Sequence, residues 1–163
     1  MVNIGGISNI TWLGKKDRIL SSDIGPGNTL IDQFCEKKFN VPFDKNGFFS
    51  SKGNVNEKLL DSWMKYPFIK KQIPKSFDNF FFKLDNFFKS EEINNYDFIA
   101  TLTKFSSNLI INSEIYFEEE IDKWVICGGG AKNKTILKNL KDSLKKVITS
   151  DQLGWNSNFI ESQ

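Results

Sequence analysis

Histidine is absent from the 163 residues. That removes histidine general bases, Ser-His-Asp triads and most zinc sites at once. Any proton transfer by this chain falls to a carboxylate, a lysine, a tyrosine or a cysteine. Cysteine is scarce. Cys35 and Cys127 lie far apart and match no metal-ligand spacing, so they read as two buried thiols in a reducing compartment rather than a disulfide. A strong excess of one charge is missing too. The net charge is +2, too small to argue for a nucleic-acid partner. The densest basic cluster, Lys141, Lys145 and Lys146, reads as the outer face of a helix. No apolar run is long enough to span a bilayer. The opening Met1-Val2-Asn3-Ile4-Gly5-Gly6 has no basic-then-apolar leader pattern. The expectation is a cytoplasmic chain with neither membrane nor nucleic acid as partner.

What remains is ordinary for a globular domain: 39% apolar and 26% charged residues, in a chain long enough to bury a real core. Residues Ile7 to Trp12 and Arg18 to Ser22 have strand character, and Gly14-Lys15-Lys16-Asp17 between them suits a hairpin. Asn28 is placed to N-cap a helix through Cys35. Pro42 to Gly53 carries turn chemistry, including Asn46-Gly47. Val55 to Met64 and Tyr96 to Ile115 read as helices. The aromatics of Phe77 to Phe88 read as core or interlobe packing. Trp124-Val125-Ile126-Cys127 is a continuous apolar run, as in a strand buried on both faces. An amphipathic helix from Asn133 to Leu144 and a short strand, Val147-Ile148-Thr149, complete a βαβ unit. The fold class expected is α/β: opening antiparallel strands, a helical middle and a closing βαβ unit. That order suits an RNase H-like lobe, the unit of actin-like ATPases and sugar kinases; architecture alone does not settle function.

Three glycine-bearing motifs carry chemistry. In Asn3-Ile4-Gly5-Gly6-Ile7-Ser8-Asn9-Ile10-Thr11, paired glycines at a strand end let backbone approach a ligand and offer N–H groups to phosphate; a tight turn is the plain alternative. In Ser22-Asp23-Ile24-Gly25-Pro26-Gly27-Asn28, a carboxylate at a strand end is followed by residues that remove bulk and fix φ. Asp23 is then placed to act as a general base on water, or else only to cap the turn. Asp32, one turn on, reads as structural or as orienting substrate. In Cys127-Gly128-Gly129-Gly130-Ala131-Lys132-Asn133, glycines between a strand and a helix present N–H groups to a ligand. The motif is neither a Walker A nor a dinucleotide fingerprint, and a ligand-free turn is its alternative.

Together, in content, order and spacing, these motifs resemble the 1,6-anhydro-N-acetylmuramic acid kinase family. Phe43-Asp44-Lys45-Asn46-Gly47 is similar to the family's Tyr-Asp-x-x-Gly, and Ala100-Thr101-Leu102-Thr103 to its Ala-Thr-Leu-Thr. Gly53-Asn54-Val55, Tyr66-Pro67-Phe68 and Pro74-Lys75-Ser76 follow in the expected order. The resemblance covers essentially all of 1–163. It implies ATP-dependent phosphorylation of the anhydro-sugar with hydrolytic ring opening, giving N-acetylmuramic acid 6-phosphate in cell-wall recycling. By resemblance, Asp23 is the catalytic base. Asn3, Gly5 and Gly6 lie near the ATP phosphates, and Gly128, Gly129, Gly130 and Asn133 near the nucleoside. Gly25, Pro26, Gly27, Asn28 and Glu161 approach the sugar. ATP and Mg²⁺ are the implied cofactors, and a homodimer is the implied assembly.

Two local departures stand out. Ser22 replaces the aromatic that commonly precedes the aspartate, and Phe77-Asp78-Asn79-Phe80 replaces a Thr-Gly-Arg-Glu stretch. The family's Ser-Gly-Thr-Ser-x-Asp-Gly phosphate loop and its final apolar helix have no counterpart here. The expectation is therefore the C-terminal lobe of a two-lobed sugar kinase. A nucleotide-binding or interaction lobe without catalysis, or another actin-like sugar kinase, are the alternatives.

Overall fold

The computed structural model describes residues 1–78, 80–88 and 93–155. Three antiparallel strands open the chain: β1 (Val2–Ile4), β2 (Ile7–Leu13) and β3 (Ile19–Pro26). The β2–β3 turn closes with Gly14 N–H donating to Arg18 O at 2.8 Å. Lys16 and Asp17 both take positive φ, 55° and 57°, as tight hairpin turns require. Val2, Ile4 and Ile10 are buried, and the alternate residues Asn3, Asn9 and Thr11 occupy the other face. This is the period of two that the sequence shows.

α1 (Thr29–Phe39), α2 (Glu57–Trp63) and α3 (Asn95–Asn112) follow. Then come β4 (Trp124–Cys127), α4 (Lys134–Ser143) and β5 (Val147–Thr149). The sheet order is β3-β2-β1-β4-β5, with β4 parallel to β1 and β5 parallel to β4. The opening hairpins, the helical middle and the closing βαβ unit are all present, consistent with an RNase H-like lobe.

Element ends differ from the periodicity reading where side chains cap. Asn56 accepts from Leu59 N–H and starts α2 at Glu57. Asn133 accepts from Thr135 and Ile136 N–H and starts α4 at Lys134; both use the capping oxygen to satisfy orphan donors. α3 stops at Asn112, and Ser113–Tyr116 continue as a single 3₁₀ turn. Asn28 precedes α1 but makes no side-chain cap bond; its amide serves the β1–β2 turn instead.

β3 runs four residues past the expected strand. Asp23 is therefore inside a paired strand rather than at its end. A register shift between Ser8 and Asn9 lies beside it, pairing Ser8 with Gly25 and Asn9 with Asp23. Such irregularities re-aim side chains next to sites.

α3 is the central helix, buried nearly all round by Phe98, Ile99, Leu102, Phe105, Leu109 and Ile110. Its buried hydroxyls stay satisfied. Thr103 donates to Ile99 O (2.8 Å) and Ser107 to Thr103 O (2.8 Å), while Ser106 donates to Gly27 O (2.8 Å) and ties α3 to the β3–α1 junction. An aromatic cluster packs around it. Phe34 lies 4.7 Å from Phe98, and Trp63 meets Phe98 and Phe105 edge-on. Phe82 and Phe87 join this core, whereas Phe80 is 82% exposed, so the aromatic stripe divides between core and surface.

Candidate functional site

The three glycine motifs meet at one place. The β1–β2 turn is stapled to the start of α1 by backbone and side chain together. Gly27 N–H donates to Gly6 O (2.8 Å), Asn28 N–H to Gly5 O (2.9 Å) and Thr29 Oγ1 to Gly6 O (2.8 Å). The Asn28 amide adds bonds to Ile4 O and Gly5 O, both 3.1 Å. Gly27 is glycine for a steric reason: a Cβ there would sit 2.4 Å from Gly5 O. Gly25, Pro26 and Gly27 are buried, and a Cβ on Gly25 would strike Leu109 of α3. Their compactness brings β3 against α3 and the β1–β2 turn, and carries Asn28 to the cleft. The Asn3 oxygen is buried against Gly128, without a hydrogen-bond partner among the described residues.

The glycine turn after β4 faces the same junction. A cavity of about 420 Å³ is lined by Asn28, Asp32, Phe43, Lys45, Gly129 and Asn133, among others. Its outer wall is the segment after α1. Asp44 fixes that wall by accepting from Phe49 N–H (2.7 Å), Ser50 N–H (3.1 Å) and Ser50 Oγ (2.6 Å). Gly47 closes it onto α4, with its carbonyl accepting from Thr135 Oγ1 at 3.2 Å. Asn46 and Gly47 have φ of 58° and 74°, the Asn-Gly turn that the sequence shows. Asp32 faces this cavity with its carboxyl pushed up to about 6, by burial first and then by the charges of Glu36 and Asp44. Neighbouring Cys35 is pushed up to about 12 by burial and by the charges of Asp44 and Asp32, which leaves it an inert thiol.

Asp23 opens onto a second, shallower cleft of about 350 Å³ lined by Asn9, Ser21, Ser22, Asp23, Pro74, Lys75 and Ser76. Each carboxylate oxygen has one donor: Asn9 Nδ2 on Oδ1 at 3.1 Å, and Phe77 N–H on Oδ2 at 2.8 Å. The strand edge holds the same loop: Asp23 N–H donates to Lys75 O (2.9 Å), and Lys75 N–H donates to Ser22 Oγ (2.9 Å). Ser22, the departure from the family's aromatic, is thus the anchor of the loop. The altered stretch at Phe77 still supplies a donor, because the contact is made by backbone.

The structure therefore brings Asn28, Gly129 and Asn133 to one cavity and places Asp23 in a separate cleft with its own lining residues, on the strand that leads into the same junction. Glu161 lies outside the described residues. Asn9, Phe43, Lys45 and the loop at 74–77 line these clefts; they stand in the motifs quoted from the sequence, but their residue types assign none of them a role. Asn9 could have been found from strand pairing, since it falls opposite Asp23. Among the described residues no group of three or more Cys, Asp or Glu is arranged to hold a metal, and no helix is long and apolar enough to cross a membrane.

The chain superimposes on the activator of the 2-hydroxyisocaproyl-CoA dehydratase from Clostridium difficile, determined with bound ADPNP. The TM-score is 0.52 at 15% identity, over 91% of this chain and 52% of that one, which speaks to the fold. In sequence it is 38% identical over 172 residues to an anhydro-N-acetylmuramic acid kinase of Clostridioides difficile, covering 98% of this chain and 45% of the relative. A kinase of the same name from Methylorubrum populi is 34% identical, with 100% and 43% covered. One from Haemophilus influenzae is 33% identical, with 99% and 47% covered. The chain thus spans a little under half the length of these curated relatives. The family model for anhydro-N-acetylmuramic acid kinase matches residues 1–163, and the chain belongs to that family.

Proposed function

We propose that this chain is the C-terminal lobe of an ATP-dependent kinase acting in the cytoplasm on 1,6-anhydro-N-acetylmuramic acid, which yields N-acetylmuramic acid 6-phosphate for peptidoglycan recycling. The observation that carries the reading is the Asp23 carboxylate. It is held by a donor on each oxygen, and its strand runs directly into the junction where the three glycine motifs meet. In this reading Asp23 takes a proton from a water that attacks the anomeric carbon. The bond from that carbon to O6 breaks, and the freed O6 accepts the γ-phosphoryl group. No histidine of this chain competes for the proton.

Asn3, Gly5 and Gly6 lie toward the phosphates in this scheme. Gly128, Gly129, Gly130 and Asn133 border the nucleoside, and Gly25, Pro26, Gly27 and Asn28 shape the sugar side. Gly129 and Asn133 line the 420 Å³ cavity, and Asn28 lines it too, so in this scheme the nucleoside side and the Asn28 end of the sugar side meet there. The described residues offer no clustered ligands for Mg²⁺. Mg²⁺ would come in on the nucleotide phosphates with protein ligands outside these residues, and no step is assigned to it. A homodimer is the assembly proposed with this activity.

The test is ADP release by the purified chain with ATP, Mg²⁺ and 1,6-anhydro-N-acetylmuramic acid, then with a second lobe supplied. Sugar-dependent release supports the kinase reading. Because the chain spans under half of its relatives, a second reading is a nucleotide-binding lobe without catalysis, since transfer needs both walls of a cleft. Nucleotide binding with no sugar-dependent ADP release, even with both lobes present, favours that second reading.

A further inference from the structure

Asn9 is a neutral residue in an interior strand position, and its role becomes visible only through its neighbours. It lies directly opposite Asp23, and its Nδ2 donates to Asp23 Oδ1 at 3.1 Å. A carboxamide can present either end, and only the amine end suits a carboxylate. The other end is fixed by Ser21, whose hydroxyl donates to Asn9 Oδ1 at 3.4 Å and lies 3.3 Å from Thr11 Oγ1. This hydroxyl pair holds the amide with nitrogen toward Asp23. The opposite oxygen is fixed by Phe77 N–H at 2.8 Å, on a loop that Ser22 fastens through Lys75. The ammonium on this loop, Lys75 Nζ, donates to Phe68 O at 3.2 Å.

We infer that Asn9 is a positioning residue for Asp23. Its amide and the Phe77 N–H together fix the plane of the carboxylate and leave a free lone pair on each oxygen for the attacking water. An ionised carboxylate has about four acceptor positions, and two are used here. The inference rests on the reading of Asp23 as the base.

The test uses Asn9→Asp and Asn9→Ala, with Asp23→Asn alongside. In this chain the Asp23 carboxyl is titrated by carbon-13 NMR, which needs no second lobe. Asn9→Asp exchanges a donor for a like charge and should raise the midpoint by about one unit or more. Asn9→Ala should raise it by less. Circular dichroism identifies any variant that does not fold, and Asn9→Ala, which adds no charge, then serves as the deciding variant. In the two-lobed enzyme the acidic limb of the kcat profile should move the same way. At neutral pH, kcat should fall roughly tenfold, a fraction of a general base's usual contribution, with KM for ATP little changed. An unmoved midpoint in a folded Asn9→Ala chain overturns the inference. So does an inactive Asp23→Asn enzyme whose Asn9→Asp counterpart keeps the parent pH profile. Near-normal turnover in Asp23→Asn overturns the base assignment itself, a separate failure.

Discussion

Gly128 lies directly over Asn3: a Cβ on Gly128 would come within 2.2 Å of Asn3 Oδ1. Its φ of +78° is also one that side-chain-bearing residues rarely adopt. Gly129 differs. It is exposed, and a Cβ there would find nothing nearer than Asn28 Nδ2 at 3.8 Å. Adjacent glycines thus have different reasons to be glycine, one steric and internal, the other toward the cavity.

Gly128→Ala should destabilise the chain by about 1–3 kcal/mol through strain and overpacking. Gly129→Ala should keep the parent melting temperature and weaken nucleotide binding. Thermal melts and a nucleotide titration on both variants check this. Equal loss of stability in the two would remove the distinction.

Asp23→Asn keeps the side chain's size and removes its ability to accept a proton from water. If Asp23 is the base proposed above, the variant with the second lobe supplied should lose sugar-dependent ADP release and keep nucleotide binding largely intact. Steady-state kinetics beside a binding isotherm separates the two effects.

Asp32 makes stability depend on pH with a definite sign. Its carboxyl is raised from 3.8 to about 6 in the folded chain, so folding favours the protonated form. The stabilising contribution is complete below about pH 4 and is lost as pH rises through 6. Asp32→Asn has no charge to bury. It should melt higher than the parent at pH 7, with the difference shrinking toward zero near pH 4. A difference that stays constant across this range would show that burial of the Asp32 charge is not the cause.

Phe34 is fully buried and touches Phe39, Phe88 and Phe98. Phe34→Ala should cost about 3–5 kcal/mol, read from denaturant midpoints. Phe80→Ala, at an 82% exposed position, should change stability by no more than about 0.5 kcal/mol.

Cys35 and Cys127 are both buried and free of disulfide. Neither should react with a thiol reagent in the native chain, and both should react once denaturant unfolds it. Fast native-state labelling of either would contradict the packing described.

Much of the architecture was legible in the sequence because it is local. The alternation through Ile7–Trp12, the apolar run Trp124–Cys127 and the spacing of Ile136 and Leu140 each encode one element through which side chains must face the core. The motifs were legible because glycines cluster where chain segments approach closely. Strand extent was less so: β3 continues to Pro26 because β2 and the loop at Lys75 supply partners for its backbone. Asn28 looks like a cap in sequence, and the β1–β2 turn takes its side chain instead.

The sequence by itself determined the order of elements, the lack of a histidine in this chain and the candidacy of Asp23. The tertiary structure decided how Asp23 is held. One of its donors, Asn9, is 14 residues away, and the other is the Phe77 backbone, 54 residues away. A backbone N–H is the same in every residue but proline, so no residue type announces that contact. Only the folded path of the chain brings it to the carboxylate.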